Sequence, residues 1–200
     1  MNRLERALAD VSRLFNARGV EWALVGGLAV SARAEPRATR DVDVAIKVAS
    51  DTEAEQLLFA LRGDGYELSA IVEQRTTKRL ATARLQALGS GRARPPIVDL
   101  LFASSGIEPE IVDAADLLEV LPGLSLCVAR IGHLIAMKVL ARDDRRRPQD
   151  WDDLRALLGV ATPADVRDAE VAMQLIHSRD AARGRDLLAD FARLKLEIGG

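Results

Sequence analysis

The sequence contains a single cysteine, Cys127, in the apolar run Leu126-Cys127-Val128. One cysteine excludes an internal disulfide and any zinc site built from several thiolates. Its apolar neighbours predict a buried structural thiol. Lysine is scarce as well: only Lys47, Lys78, Lys138 and Lys195 occur among the 28 basic residues. Against 30 acidic residues these leave a formal net charge of −2. That balance excludes a protein that coats nucleic acid by charge alone, though not one with a local basic cleft. No apolar run approaches the roughly 20 residues of a membrane span. The opening MNRLERALADVSRLF mixes charged and apolar residues without a hydrophobic stretch, so no signal peptide is expected and the chain reads as cytoplasmic. The only histidines, His133 and His177, fall in no pattern with serine and aspartate, and both are expected to be structural or solvated.

What is present is material for a core, with 48% hydrophobic residues. Leu4, Leu8, Val11 and Phe15 recur at helical spacing and Gly19 follows, predicting a helix over residues 3–18. Residues 21–25 form a predicted strand running into Gly26-Gly27, with a short helix over 28–34. The segment DVDVAIKV, 41–48, alternates and is rich in β-branched residues, so it reads as a strand. A helix over 52–61, strands over 66–72 and 80–85, a loop over 89–96 and an apolar strand over 97–102 follow. A short helix after Gly106 and extended segments at 117–120 and 124–128 precede helices over 130–142, 149–158, 163–177 and 180–196. The expected class is α+β (α/β): a mixed sheet flanked by helices in residues 1–128, and a C-terminal helical region, 129–200, that completes a cleft.

Asp41 and Asp43 lie two apart on a predicted strand, so both leave the same face while Val42, Val44 and Ile46 face the core. Two carboxylates pointing one way repel each other unless a cation lies between them, and Mg²⁺ suits one or two carboxylates plus phosphate oxygens and water. Asp99 stands inside the otherwise apolar Ile97–Phe102, where a carboxylate must be paired or metal-bound. Each feature also has an ordinary reading: Asp-x-Asp as a solvated pair, and Asp99 as the partner of an arginine. Gly26-Gly27 ends a strand and opens a helix, where bare backbone and amide donors let a phosphate approach. Lys138 falls among Ile131, Leu134 and Ile135, inside an apolar helical stripe; there an ammonium snorkels or meets an anion. Arg142 lies one turn further along that face. Asp150 and Asp153 share a face near a helix start, where the dipole favours acids in any case.

The order Gly26-Gly27, a spacer, Asp41-Val42-Asp43 and then Asp99 resembles the signature of the polymerase-beta-like nucleotidyltransferase superfamily. The segments Val25-Gly26-Gly27-Leu28-Ala29-Val30 and Arg37-Ala38-Thr39-Arg40-Asp41-Val42-Asp43 look more closely like the AbiEii/AbiGii branch, the nucleotidyltransferase toxins of toxin–antitoxin systems. The likeness extends to Ile135–Arg142 and to Arg147–Leu154, and so covers most of residues 20–158. It implies a nucleotidyltransferase fold and metal-dependent transfer of a nucleotide from an NTP. Asp41, Asp43 and Asp99 would be the catalytic and metal-binding acids, with Mg²⁺ or Mn²⁺ as the ion. Gly26, Gly27, Thr39, Lys138, Arg142 and Asp150 would bind the nucleotide. The acceptor implied is an RNA or tRNA end or a protein hydroxyl, and a toxin would have an antitoxin partner. Transfer to a small molecule such as an aminoglycoside, or nucleotide binding without turnover, are the competing readings.

Overall fold

The computed structural model describes residues 2–74, 77–87, 96–143 and 148–199. The first helix, α1 (Arg3–Arg18), begins with a reciprocal cap: Asn2 accepts from the Glu5 amide while the Glu5 carboxylate accepts from the Asn2 amide. It stops at Gly19, whose φ of 65° is left-handed. Leu8, Val11 and Phe15 bury its apolar stripe.

Strands β1 (Trp22–Val25), β2 (Asp41–Ile46), β3 (Tyr66–Glu73), β4 (Leu80–Ala87), β5 (Ile97–Leu101), β6 (Asp116–Leu121) and β7 (Leu124–Val128) form one sheet in the order β3-β4-β5-β2-β1-β7-β6. The sheet is mixed: β2 runs parallel to β5 and β1 parallel to β7, while the other neighbours are antiparallel. Helices α2 (Gly26–Arg33), α3 (Asp51–Gly63) and α4 (Glu108–Ala114) interleave with the strands. The chain then continues in α5 (Ile131–Ala141), α6 (Pro148–Val160), α7 (Pro163–Ser178) and α8 (Leu187–Gly199). The α+β class expected from the pattern is therefore what forms. One hydrophobic cluster runs without a break from Leu8 of α1 to Leu194 of α8.

Two expectations need adjustment. Cys127 is exposed, not buried. In β7 the period of two sends Leu126 and Val128 inward and Cys127 outward, opposite the exposed Leu117 of β6. The last helix starts at Leu187 rather than near residue 180, because Asp180, Arg183 and Gly184 all have positive φ and cannot continue a right-handed helix. The loop expected over 89–96 lies outside the described residues apart from Pro96.

The late helices hold α5 in place. The Arg185 guanidinium donates to the Val139 and Leu140 carbonyls at 2.9 and 3.1 Å, capping the C-terminal end of α5, and is itself held by Asp190 at 2.7 Å. Gly132 marks the crossing with α7: a Cβ there would lie 2.7 Å from the Asp168 Cβ and 2.8 Å from the Asp165 carbonyl oxygen.

Candidate active site

The register of four strands sets the site. Val25 of β1 pairs with Asp43 of β2, Asp43 with Asp99 of β5, and Asp99 with Arg84 of β4. Sequence-distant residues thus form a single row across the sheet. Asp41 joins it from two positions earlier on the same face of β2, while Val42 and Val44, between and beyond the acids, are wholly buried. At the β1 end the chain leaves the sheet through Gly26, which opens α2 with φ 64°. A Cβ on Gly26 would overlap the Asp43 carboxylate, and one on Gly27 would lie 2.6 Å from the Arg37 Nη2 and 3.0 Å from the Thr39 Oγ1. Both glycines are there because side chains from the 37–43 segment occupy the space.

These residues line a cleft of about 610 Å³. Gly26, Gly27, Thr39, Asp41, Asp43 and Asp99 contribute one side, and Lys138 and Asp150 come from α5 and α6. Leu134, Met137 and Leu140 give the α5 wall its apolar portion.

Asp99 is only 8% exposed and is gripped by Arg84 through two hydrogen bonds, Nε to Oδ1 at 2.8 Å and Nη2 to Oδ2 at 2.7 Å. The arginine reading of this acid, open from sequence, is the one seen. Arg84 has its pKa raised, chiefly by that bidentate bond, with further contributions from the charges of Asp99, Asp41 and Asp43. All three acids are therefore within electrostatic reach of one guanidinium.

Lys138 meets anions supplied by the protein itself. Its ammonium lies 2.8 Å from Asp150 Oδ1 and 2.6 Å from Asp153 Oδ2, and Arg37 Nη2 donates to Asp153 at 2.9 Å. Two cations and two carboxylates balance one another at a place where the Asp153 side chain is 0% exposed. Such a network is stable only if its members stay paired. The second oxygen of Asp150 is buried and accepts no hydrogen bond.

Arg142 is not brought to the cleft. Its guanidinium sits 4.9 Å from the Trp151 ring centroid and 3.8 Å from a Glu197 carboxylate oxygen, on the side of α8. α5 ends at Ala141, and Arg142 follows with a non-helical ψ of 123°, so helical spacing no longer places it on the Lys138 face. Sequence reasoning singled out neither Arg37 nor Arg84, and noted Asp153 only as sharing a helix face with Asp150. Arg84 had a faint signal: β4 alternates buried Ala81, Ala83 and Leu85 with the more open Thr82, Arg84 and Gln86. Only the register shows that this polar face adjoins the acids.

The acids fit a divalent cation in their chemistry. Asp41 and Asp43 give a hard oxygen pair on one face, enough for Mg²⁺ when phosphate and water complete the shell. Among the described residues no three of His, Cys, Asp or Glu are already gathered into an ion-sized group. The second and third acids are in register, but Arg84 holds Asp99.

Among solved structures, the chain is similar to an antigenic nucleotidyltransferase-like protein from Paracoccidioides brasiliensis, with 17% identity, TM-score 0.57, and coverage of 96% of this chain and 92% of that one. It is similar to the lincosamide antibiotic adenylyltransferase LnuA in its lincomycin-bound form, with 16% identity, TM-score 0.51, and coverage of 80% and 100%. A putative nucleotidyltransferase from H. pylori aligns with 14% identity and TM-score 0.51 over 98% of this chain and 93% of its own. At these identities the likeness is one of fold. Comparison with curated protein sequences finds no match. The sequence matches the family described as "Nucleotidyl transferase AbiEii toxin, Type IV TA system" over residues 6–198. With that match spanning nearly the whole chain, and the fold agreeing, the protein belongs to the AbiEii family and is a nucleotidyltransferase.

Proposed function

We propose that the protein transfers a nucleoside monophosphate from an NTP to a hydroxyl of an RNA or tRNA end or of a protein, with Mg²⁺ as the supporting ion. The observation that carries this reading is the in-register row of Asp43 and Asp99 beside Gly26, with Asp41 on the same face. Asp41, Asp43 and Asp99 would hold the ion, which when bound polarises phosphate oxygens and lowers the pKa of an attacking hydroxyl. Gly26 and Gly27 offer bare backbone at the start of α2 for the phosphates, and Thr39 stands beside them as a hydroxyl donor. Lys138, fixed by Asp150 and Asp153, lies on the facing wall to neutralise charge that builds on the leaving pyrophosphate. In this reading residues 1–128 carry the catalytic acids, and residues 129–200 supply the opposite wall.

The acceptor and the toxin role are tested together. The full chain is incubated with labelled NTPs and three acceptor sets: total RNA, total protein and an aminoglycoside panel. Label is expected in one macromolecular pool, and not in the drugs. Expression is expected to arrest growth for the wild type and not for Asp43→Ala. Efficient drug labelling, or harmless expression of a fully active enzyme, would contradict these assignments.

A further inference from the structure

We propose that Arg84 is the resident counter-cation of the carboxylate row and competes with a divalent metal ion for Asp99. The inference rests on the metal-dependent reading above and adds to it a residue that acts against metal loading. Four observations support it.

First, Arg84 and Asp99 are direct cross-strand partners, as are Asp99 and Asp43, so Arg84 stands one strand from Asp99 and two strands from Asp43 in the same row. Second, the grip is bidentate and takes both oxygens of Asp99, at 2.8 and 2.7 Å. A carboxylate held in this way has its preferred acceptor directions occupied. Third, Asp41 and Asp43, as well as Asp99, act electrostatically on Arg84. The guanidinium therefore lowers the mutual repulsion of all three acids, which is the service a bound cation would perform. Fourth, burial is uneven across the pair: the Asp99 side chain is 11% exposed and that of Arg84 42%. Asp99 is fixed in the sheet, while Arg84 has open space in the cleft into which it can swing.

Together these make Arg84 a positioning residue with two states. Without metal it closes the acid row and keeps Asp99 oriented toward β4. When metal is present Asp99 is handed over, and the released guanidinium faces the same cleft, where the phosphate-bearing substrate would lie. The row is thereby kept from standing open with three uncompensated carboxylates.

The test measures Mn²⁺ binding to the full-length protein without nucleotide, using the electron paramagnetic resonance signal of free Mn²⁺. Wild type is compared with Arg84→Gln, Arg84→Lys and Asp43→Asn. Removal of the competing cation is expected to tighten binding about threefold to tenfold in Arg84→Gln. Arg84→Lys, which keeps the charge and loses the fork, should tighten it less. Combining Asp99→Asn with Arg84→Gln should abolish the gain. Thermal unfolding provides a second readout: Arg84→Gln should melt below wild type without metal and recover more on adding Mn²⁺. If Arg84→Gln fails to fold, the comparison of Arg84→Lys with wild type decides. Unchanged or weaker Mn²⁺ binding in the Arg84 variants, with normal binding by wild type, would overturn the competition while leaving the metal reading intact. Wild-type binding no tighter than that of Asp43→Asn would overturn both.

Discussion

Gly26 and Asp43 constrain each other through space. With φ at 64°, and with the Asp43 carboxylate filling the volume where a side chain would begin, position 26 accepts only glycine without displacing that carboxylate. Gly26→Ala is expected to lower transfer by at least about tenfold, since small misplacements of reacting groups are expensive. Loss of stability should be limited to about 1–2 kcal/mol. Initial rates beside a denaturant melt check this, and a fully active Gly26→Ala would show that the carboxylate need not sit there. A second residue reports on the back of α5. Burial holds the His133 imidazole pKa below its ordinary 6.5 despite the charge of Asp168, with Arg130 lowering it further and Glu110 opposing. The folded state therefore takes up a proton less readily than the unfolded chain. Stability is full above about pH 6.5 and falls as pH drops from there toward the lower folded value. Melting curves between pH 7 and 5 should fall less steeply for His133→Gln than for wild type. Equal slopes would remove His133 as the cause.

Among the elements, α5 matters most to the site, because it carries Lys138 and is fixed at both ends. At its start, Gly132 lets α7 approach so closely that a Cβ would meet the Asp168 Cβ at 2.7 Å and the Ala169 amide at 2.9 Å. Gly132→Val should destabilise the fold by about 1–3 kcal/mol through overpacking and reduce activity as α5 shifts. A denaturant midpoint equal to that of wild type would contradict this packing account. Strands β1, β2, β5 and α5 could be read from sequence because burial on one or both faces imposes a strong periodicity. The same periodicity misled at Cys127: five largely apolar residues in β7 suggest burial throughout, yet one face of the β6–β7 ribbon is uncovered. The start of α8 was obscured because Asp180 and Arg183 are left-handed although they are not glycines. Nothing in residue type announces that.

At the scale of the whole molecule, the cleft lies where the sheet face that carries the acids meets α5 and α6. Gly26, Gly27, Asp41, Asp43 and Asp99 were legible before any fold, because acids in an apolar strand and glycines after one need an explanation within a few residues. Arg84 and Arg37 were not, and Asp153 was visible only as the neighbour of Asp150 on a helix face, since their partners come from distant segments: Asp99 lies 15 residues from Arg84, and Asp153 lies 116 from Arg37. Arg142 was misplaced for the complementary reason, as helical spacing puts it on the Lys138 face and the end of α5 takes it off. No described helix is long and apolar enough to cross a membrane. The chemistry proposed for the acid row is transfer of a nucleotidyl group. It is tested most directly by supplying the same NTP labelled in turn at the α- and γ-phosphate, with total RNA and protein as acceptors, to wild type and to Asp43→Asn of matched melting temperature. Label is expected in the acceptor from the α position only, with pyrophosphate release in step with it and loss of both in Asp43→Asn. Incorporation from the γ position, or undiminished transfer by Asp43→Asn, would contradict it.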